Sequence, residues 1–402
     1  MSSQRTSILG GAIIVFILIT SGGLLIFFGQ TEFDPGNETE TTRTTTTTGP
    51  NDGFVNIEEI VAATFDGIGF TEEEGSNSTI SSTLKGVEIL SDYDLIDCPL
   101  TKEMLNDTYD AIMEREHPNG GFSEVPGELY QSLEATALSL RTLRLMDRLV
   151  QTTKNGIISY LSNEFSGGLS YENWISEGVL EEKYWGLRCA YEIGNIANIG
   201  VKPITLDNIF EEGEEPGAGT DPVLWTGEIY FGTQLDTKTL SDRLIIFECF
   251  EYMIPDPLHR PVLIGLLVDE SDTVNQLASM FYETSGLVDN DFEFTWTVFR
   301  ILTNTGNMTH IFDSENGAER IDRIQEQIDT VIDIDNAQAN PNATVSEIFF
   351  MTKIAQLIAF NLDHGFIENQ TPTFLESPLV LCAPVKRSTS DILHMTIVST
   401  FQ

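Results

Sequence analysis

Three arginines, Arg141, Arg144 and Arg148, recur at i, i+3 and i+7 on one helical face, and Arg188 occupies the place of Arg141 in a second copy of the same pattern. Arg141, Arg144 and Arg188 are candidates for binding an anion; they can equally form salt bridges with the many Glu and Asp side chains around them. Trp174, Tyr184, Trp185, Trp225 and Trp296 are candidates to line a central pocket for a glycan or a lipid. Aromatic rings in helical repeats also serve simply as core, and that alternative stands beside the pocket.

Other chemistry is thinner. Cys98, Cys189, Cys249 and Cys382 lie far apart with no C-x-x-C spacing, so no zinc cluster or redox motif is expected, and no metal or cofactor is assigned. Two disulfides outside a cell and four buried thiols are the alternatives for them. There is no phosphate loop, HExxH or GxSxG motif. A carboxylate pair for glycoside hydrolysis cannot be picked from 62 acidic residues, because the separation that matters is spatial.

Those acids face 21 Lys and Arg, which gives a formal net charge of −41, while 41% hydrophobic residues suffice for a large core. The chain is therefore a folded acidic protein. Its body repels nucleic-acid phosphates and anionic membrane surfaces, so nucleic acid is excluded as a partner. With only 8 Lys, the surface suits high ionic strength, where screening relieves self-repulsion; an ordinary acidic secreted protein fits as well.

The elements that must position these residues repeat. In the stretch Asn119 to Leu149, Gly120 and Gly121 supply a turn, Phe122 plugs it, and a helix from Leu133 follows that is apolar on most sides. A shift of 47 residues lays seven identities over 22 positions, with Gly167 and Gly168 on the double glycine and Arg188 on Arg141. Weaker copies of helix, Gly turn and helix begin near Gly67, Thr226, Ser285 and His364. Between the turns, helices are expected over Thr101 to His117, Leu149 to Phe165, Ile204 to Glu212, Pro261 to Glu283 and Ala318 to Ile334. The Thr101 helix has the polar face of an outer helix; the Leu133 helix is apolar as an inner one should be. The expected fold is all-α: six hairpins over residues 51–402, closed into a ring so that no end face is left open.

A helix ending in MEREHPNGGF, a polar turn and SLEATALSLRTLRL together resemble the repeat of protein prenyltransferase β subunits and squalene-type cyclases, over Thr101 to Gly194. The resemblance implies an α/α toroid, an α6/α6 barrel of six inner and six outer helices around a central cavity. It does not carry that family's chemistry. The zinc-binding Asp-x-Cys pair is missing: Asp97 is adjacent to Cys98, Phe247 stands two before Cys249, and His117, His259, His310, His364 and His394 have no suitable context. The D-x-D-D acid of the cyclases is approached only by Asp333-Ile334-Asp335-Asn336, which reads better as a solvated helix end. The thioester stretch of complement-type toroids is absent too.

Ahead of the body, residues 8–29 form a run of 22 without charge, enough for one membrane-spanning helix acting as an uncleaved signal anchor. Arg5 before it places residues 1–7 in the cytoplasm and the body outside the cell. Residues 30–50 are a Thr-rich, disordered stalk, with eight Thr between Thr39 and Thr48. Sequons at Asn37, Asn77, Asn106, Asn307, Asn342 and Asn369 are candidates for glycosylation in that location. The expectation is a single-pass cell-membrane protein whose extracellular toroid binds an unknown ligand or protein without catalysis. The alternative is an extracellular enzyme on the same scaffold, glycan-processing or of divergent terpenoid type.

Overall fold

The computed structural model describes residues 13–20, 23–30, 53–165, 180–194, 196, 204, 239–267, 271–282, 285–312 and 317–364. The chain divides into two compact units, Met1–Asp52 and Gly53–Gln402. In the first unit, β1 (Ile13–Thr20) and β2 (Gly23–Gln30) pair antiparallel, with Ile13 opposite Gln30 and Thr20 opposite Gly23. The backbone here thus differs from the single helix expected over residues 8–29. Its two apolar halves are rich in Ile, Leu and Phe, Ser21-Gly22 between them suits a two-residue turn, and a short apolar run does not itself distinguish strand from helix. The Thr-rich segment lies outside the described residues.

The second unit is helical among its described residues apart from a small patch. Strands β3 (Val55–Asn56), β4 (Ile332–Asp333) and β5 (Gln338–Ala339) pair antiparallel in the order β3-β5-β4, joining the start of the unit to a segment late in it. The helices in chain order are α1 (Ile57–Ala63), α2 (Ile80–Asp92), α3 (Pro99–Met113), α4 (Leu133–Leu145), α5 (Gln151–Glu164), α6 (Leu180–Glu192), α7 (Leu240–Met253), α8 (Arg260–Leu267), α9 (Ser271–Ala278), α10 (Phe292–Thr305), α11 (Met308–Phe312), α12 (Gly317–Val331) and α13 (Val345–Asp363).

Short polar caps start six of the described helices; at α1 the Asn56 side chain accepts the N–H of Glu58, two residues on. Thr79, Ser132, Thr239, Asp291 and Thr344 precede α2, α4, α7, α10 and α13, and each side chain accepts the backbone N–H three residues on. At Thr79 and Thr344 the bond is reciprocated by Ser82 and Glu347, completing capping boxes. The expected helix over Pro261 to Glu283 is two helices, because Ser271 and Asp272 open a new first turn and Phe281 leaves the helix to bridge Val288. The helix expected over Ile204 to Glu212 falls outside the described residues beyond Ile204, whose N–H donates to the Met253 carbonyl.

The glycine turn is built as its residues demand. Gly120 and Gly121 both hold positive φ, and a Cβ on Gly120 would lie 1.9 Å from the Gly156 carbonyl oxygen of α5, so this turn packs directly on a helix backbone. Phe122 is fully buried, and its N–H donates to the Thr136 hydroxyl at 2.9 Å. The later turn at Gly286 repeats that bond, from Val288 N–H to the Thr295 hydroxyl at 2.9 Å. Gly167 and Gly168 lie outside the described residues.

Six helices pack in succession: α2 on α4, α4 on α6, α6 on α7, α7 on α10, α10 on α13, and α13 back on α2. They bury Val87, Leu140, Leu187, Phe250, Leu302 and Ile358 completely. On this circuit α1 contacts α2, α5 contacts α6, α8 contacts α7 and α10, and α12 contacts α13. α4 buries residues on most sides, whereas α3 buries one stripe of Thr101, Met104, Leu105, Thr108 and Ile112. α13 is long and apolar enough to cross a bilayer by length and composition; its burial among the other helices makes it a core helix instead. Cys98, Cys189 and Cys249 are free thiols, two of them buried, and Cys382 lies outside the described residues.

Candidate functional site

Counting from the first residue of each helix in the circuit, the ninth is charged in all six: Glu88, Arg141, Arg188, Glu248, Arg300 and Lys353. In α2, α4, α7, α10 and α13 the count starts one residue after a side-chain cap, so in these five the caps set the depth at which the charged side chains stand. At three of the six contacts, α13 with α2, α2 with α4 and α7 with α10, neighbouring helices then bring opposite charges together. Lys353 Nζ lies 3.1 Å from Glu88 and 2.8 Å from Asp92, and Arg141 Nε lies 3.0 Å from the other oxygen of Glu88. Arg300 reaches Glu248 at 3.0 Å and Glu251 at 2.6 Å. One turn beyond the layer, Glu192 accepts Arg144 at 3.3 Å and lies 4.0 Å from Arg141.

Desolvation opposes ionisation of Glu88, yet Lys353 and Arg141 overcome it and hold its carboxyl at about 2. Glu251 is likewise lowered, with burial opposing and Arg300 and Arg260 prevailing. Burial wins at Glu248 and at Asp92, whose carboxyls are raised despite Arg300 and Lys353. Lys353 is raised, because Glu88 and Asp92 outweigh the cost of burying it.

Arg188 is different. Its Nε is buried without a hydrogen-bond partner, and among the described residues no carboxylate lies within ion-pair distance of its guanidinium. Among the described residues its guanidinium reaches the Tyr184 hydroxyl, 3.5 Å from Nη1, and lies over the Trp185 ring at 5.3 Å. The Tyr184 ring neighbours that of Tyr252 at 6.0 Å, and Tyr252 neighbours Tyr191 at 5.1 Å. Burial pulls the Arg188 pKa down, and Tyr252, Tyr184, Glu192 and Glu88 more than reverse this, so the guanidinium stays charged. Glu88 belongs to α2 and Tyr252 to α7, so the field at Arg188 comes from across the circuit.

Of the other candidates, Arg141 and Arg144 spend their charge on carboxylates, and Arg144 also stacks over Tyr191 at 5.5 Å. Arg148 does not share their face, because α4 ends at Leu145 and Asp147 turns the chain with a φ of 55°. It reaches α3 instead, donating to Asn106 and stacking over Tyr109. Tyr184, Trp185 and Trp296 stand with the charged layer, Trp296 under Arg300 at 4.5 Å and beside Phe349 at 5.8 Å. Trp174 and Trp225 lie outside the described residues. Glu88, Glu248, Arg300 and Lys353 were not singled out by the sequence, although counting nine residues from each Ser, Thr or Asp cap would have found them.

Asp333, Asp335 and Asn336 are at a strand turn rather than a helix end: Asn336 donates its backbone and side-chain N–H groups to Asp333. Among the described residues no three His, Cys, Asp or Glu side chains converge as metal ligands. Asn77, Asn106 and Asn342 are exposed and Asn307 half-buried, but Thr108, the hydroxyl residue of the Asn106 sequon, is fully buried. Asn37 and Asn369 lie outside the described residues. Comparison with protein-family models, with curated proteins and with solved structures returns no match. The likeness to the prenyltransferase and cyclase repeat therefore rests on the residues between Thr101 and Gly194 that carry it.

Proposed function

We propose that residues 51–402 are an α/α toroid of six hairpins, held outside the cell by an N-terminal membrane anchor, and that the toroid is a ligand- or partner-binding module rather than an enzyme. Support for the closed form is the circuit of six helices in which α13 returns to α2. The observation that carries the non-catalytic reading is the pairing of the central acids: Glu88, Asp92, Glu192, Glu248 and Glu251 all lie within ion-pair distance of a cation. A carboxylate clamped in this way is poorly placed to give or take a proton.

The anchor rests on the uncharged run 8–29. A two-stranded ribbon has unpaired backbone groups along both edges, which hydrocarbon does not tolerate; within lipid the same residues satisfy every backbone group as a helix. Protease added to intact cells should release a soluble fragment by cutting between residues 30 and 50. Full protection of the body would overturn the orientation. An enzyme on this scaffold is the second reading, favoured by the raised Glu248 carboxyl, a property of general acids. Incubation with a panel of glycans, read as new reducing ends, separates the two: turnover lost on Glu248→Gln would overturn the non-catalytic reading.

A further inference from the structure

We propose that Arg188 is the binding site for a monocarboxylate with an aromatic or apolar body, held in the centre of the six-helix circuit. This rests on the toroid reading above and gives its ligand a chemical class.

The guanidinium is the one ninth-position cation with no carboxylate in reach among the described residues; Arg141, Arg300 and Lys353 are each engaged. Leaving a buried Nε without a partner costs a desolvation penalty that a structural ion pair would have removed. A planar fork with free donors matches a carboxylate, which can accept two parallel N–H bonds. The surroundings select further. Trp185 lies under the guanidinium, Tyr184 presents its hydroxyl to it, and Tyr252 packs beside Tyr184, so the walls are aromatic with polar edges. Charge excludes polyanions. Glu192 and Glu88 bear on the Arg188 site, and so does Glu248 from α7; a second or third negative charge on the ligand would face these acids, while the other ninth-position cations are already engaged by carboxylates. One negative charge and an aromatic body match the chemistry of these neighbours; a diphosphate does not.

Purified full-length chain in detergent is titrated with sodium benzoate at constant chloride and ionic strength, and binding is read by calorimetry, with acetate and inorganic pyrophosphate as parallel titrants. Benzoate should bind saturably at one per chain, more tightly than acetate, and pyrophosphate should give no saturable heat. Arg188→Met should weaken benzoate at least tenfold, while Arg148→Met, which alters a cation on the α3 side of α4, leaves it unchanged. Because Arg188 loses no ion pair among the described residues, Arg188→Met should melt no lower than the parent, which separates loss of a site from loss of the fold. Absence of saturable benzoate binding, a preference for pyrophosphate, or unchanged binding by Arg188→Met would each overturn the site. The toroid reading is checked apart from this, by the thermodynamic coupling of Glu88 and Lys353. Coupling without benzoate binding would sink the Arg188 site alone, and loss of coupling would sink the closed circuit on which the site depends.

Discussion

Glu88 sits between Lys353 and Arg141, and its side chain is 10% exposed, so the two cations share one desolvated carboxylate. Replacing it by Gln leaves both without that charge, and breaking a buried pair by removing one partner costs about 3 to 5 kcal/mol. Glu88→Gln should lower the urea midpoint by a corresponding amount at pH 7; a loss below about 1 kcal/mol would show the pair to be solvated. The pH dependence follows from the same pairing. The folded carboxyl titrates at about 2 against an ordinary value of 4.5, so its stabilisation is fully present above 4.5 and is lost as pH falls toward 2. Stability curves of the parent and Glu88→Gln should therefore converge within that window. At this scale the sequence exposed only part of the layer. Arg141 and Arg188 are visible as counterparts because their repeats match at 47 residues; the other charged positions differ in residue type and sign and are spaced by up to 60, which hides them from identity matching.

Between turn and helix, the glycines offer a contrast. Gly120 has a φ of 82° and no room for a Cβ beside the Gly156 carbonyl, while Gly127 has a φ of 78° and nothing within 4 Å. Gly120→Ala should cost about 3 kcal/mol, from backbone strain together with a clash against another backbone, and Gly127→Ala about 1 kcal/mol from strain alone. Thermal melts of the two variants, compared with the parent, check both values; equal shifts would mean that α5 moves aside. The elements themselves were largely legible. Thr79, Ser132, Asp291 and Thr344 stand before apolar runs as caps should, and Gly120 and Gly286 mark turns through the backbone freedom they alone supply. Legibility failed where composition was neutral between two forms. Residues 13–30 satisfy a strand pair and a helix about equally, and the apolar pattern after Pro261 continues past the polar residues at which α8 has given way to α9.

Over the whole body, α13 is the helix on which closure depends, because it contacts α10 on one side and α2 on the other. Ending the chain before Thr344 should expose both neighbours, and the helical circular dichroism signal should lose its single melting transition rather than shift by a few degrees. A shortened chain that stayed monomeric and kept most of its helicity with a similar melting temperature would rule out the closed circuit. Closure also has a consequence in the order of the six ninth residues. Taken around the circuit from α2, they read Glu88, Arg141, Arg188, then Glu248, Arg300, Lys353: minus, plus, plus, twice over. The signs have twofold, not sixfold, periodicity. Exchanging a minus helix of the circuit for a plus one puts the wrong sign at both places, so that error is penalised, whereas the two plus helices of each half do not differ in sign. Two copies that exchanged whole halves, three helices of the circuit each, would meet the same signs as before, and half-for-half swapping into a dimer is a misassembly this pattern does not guard against.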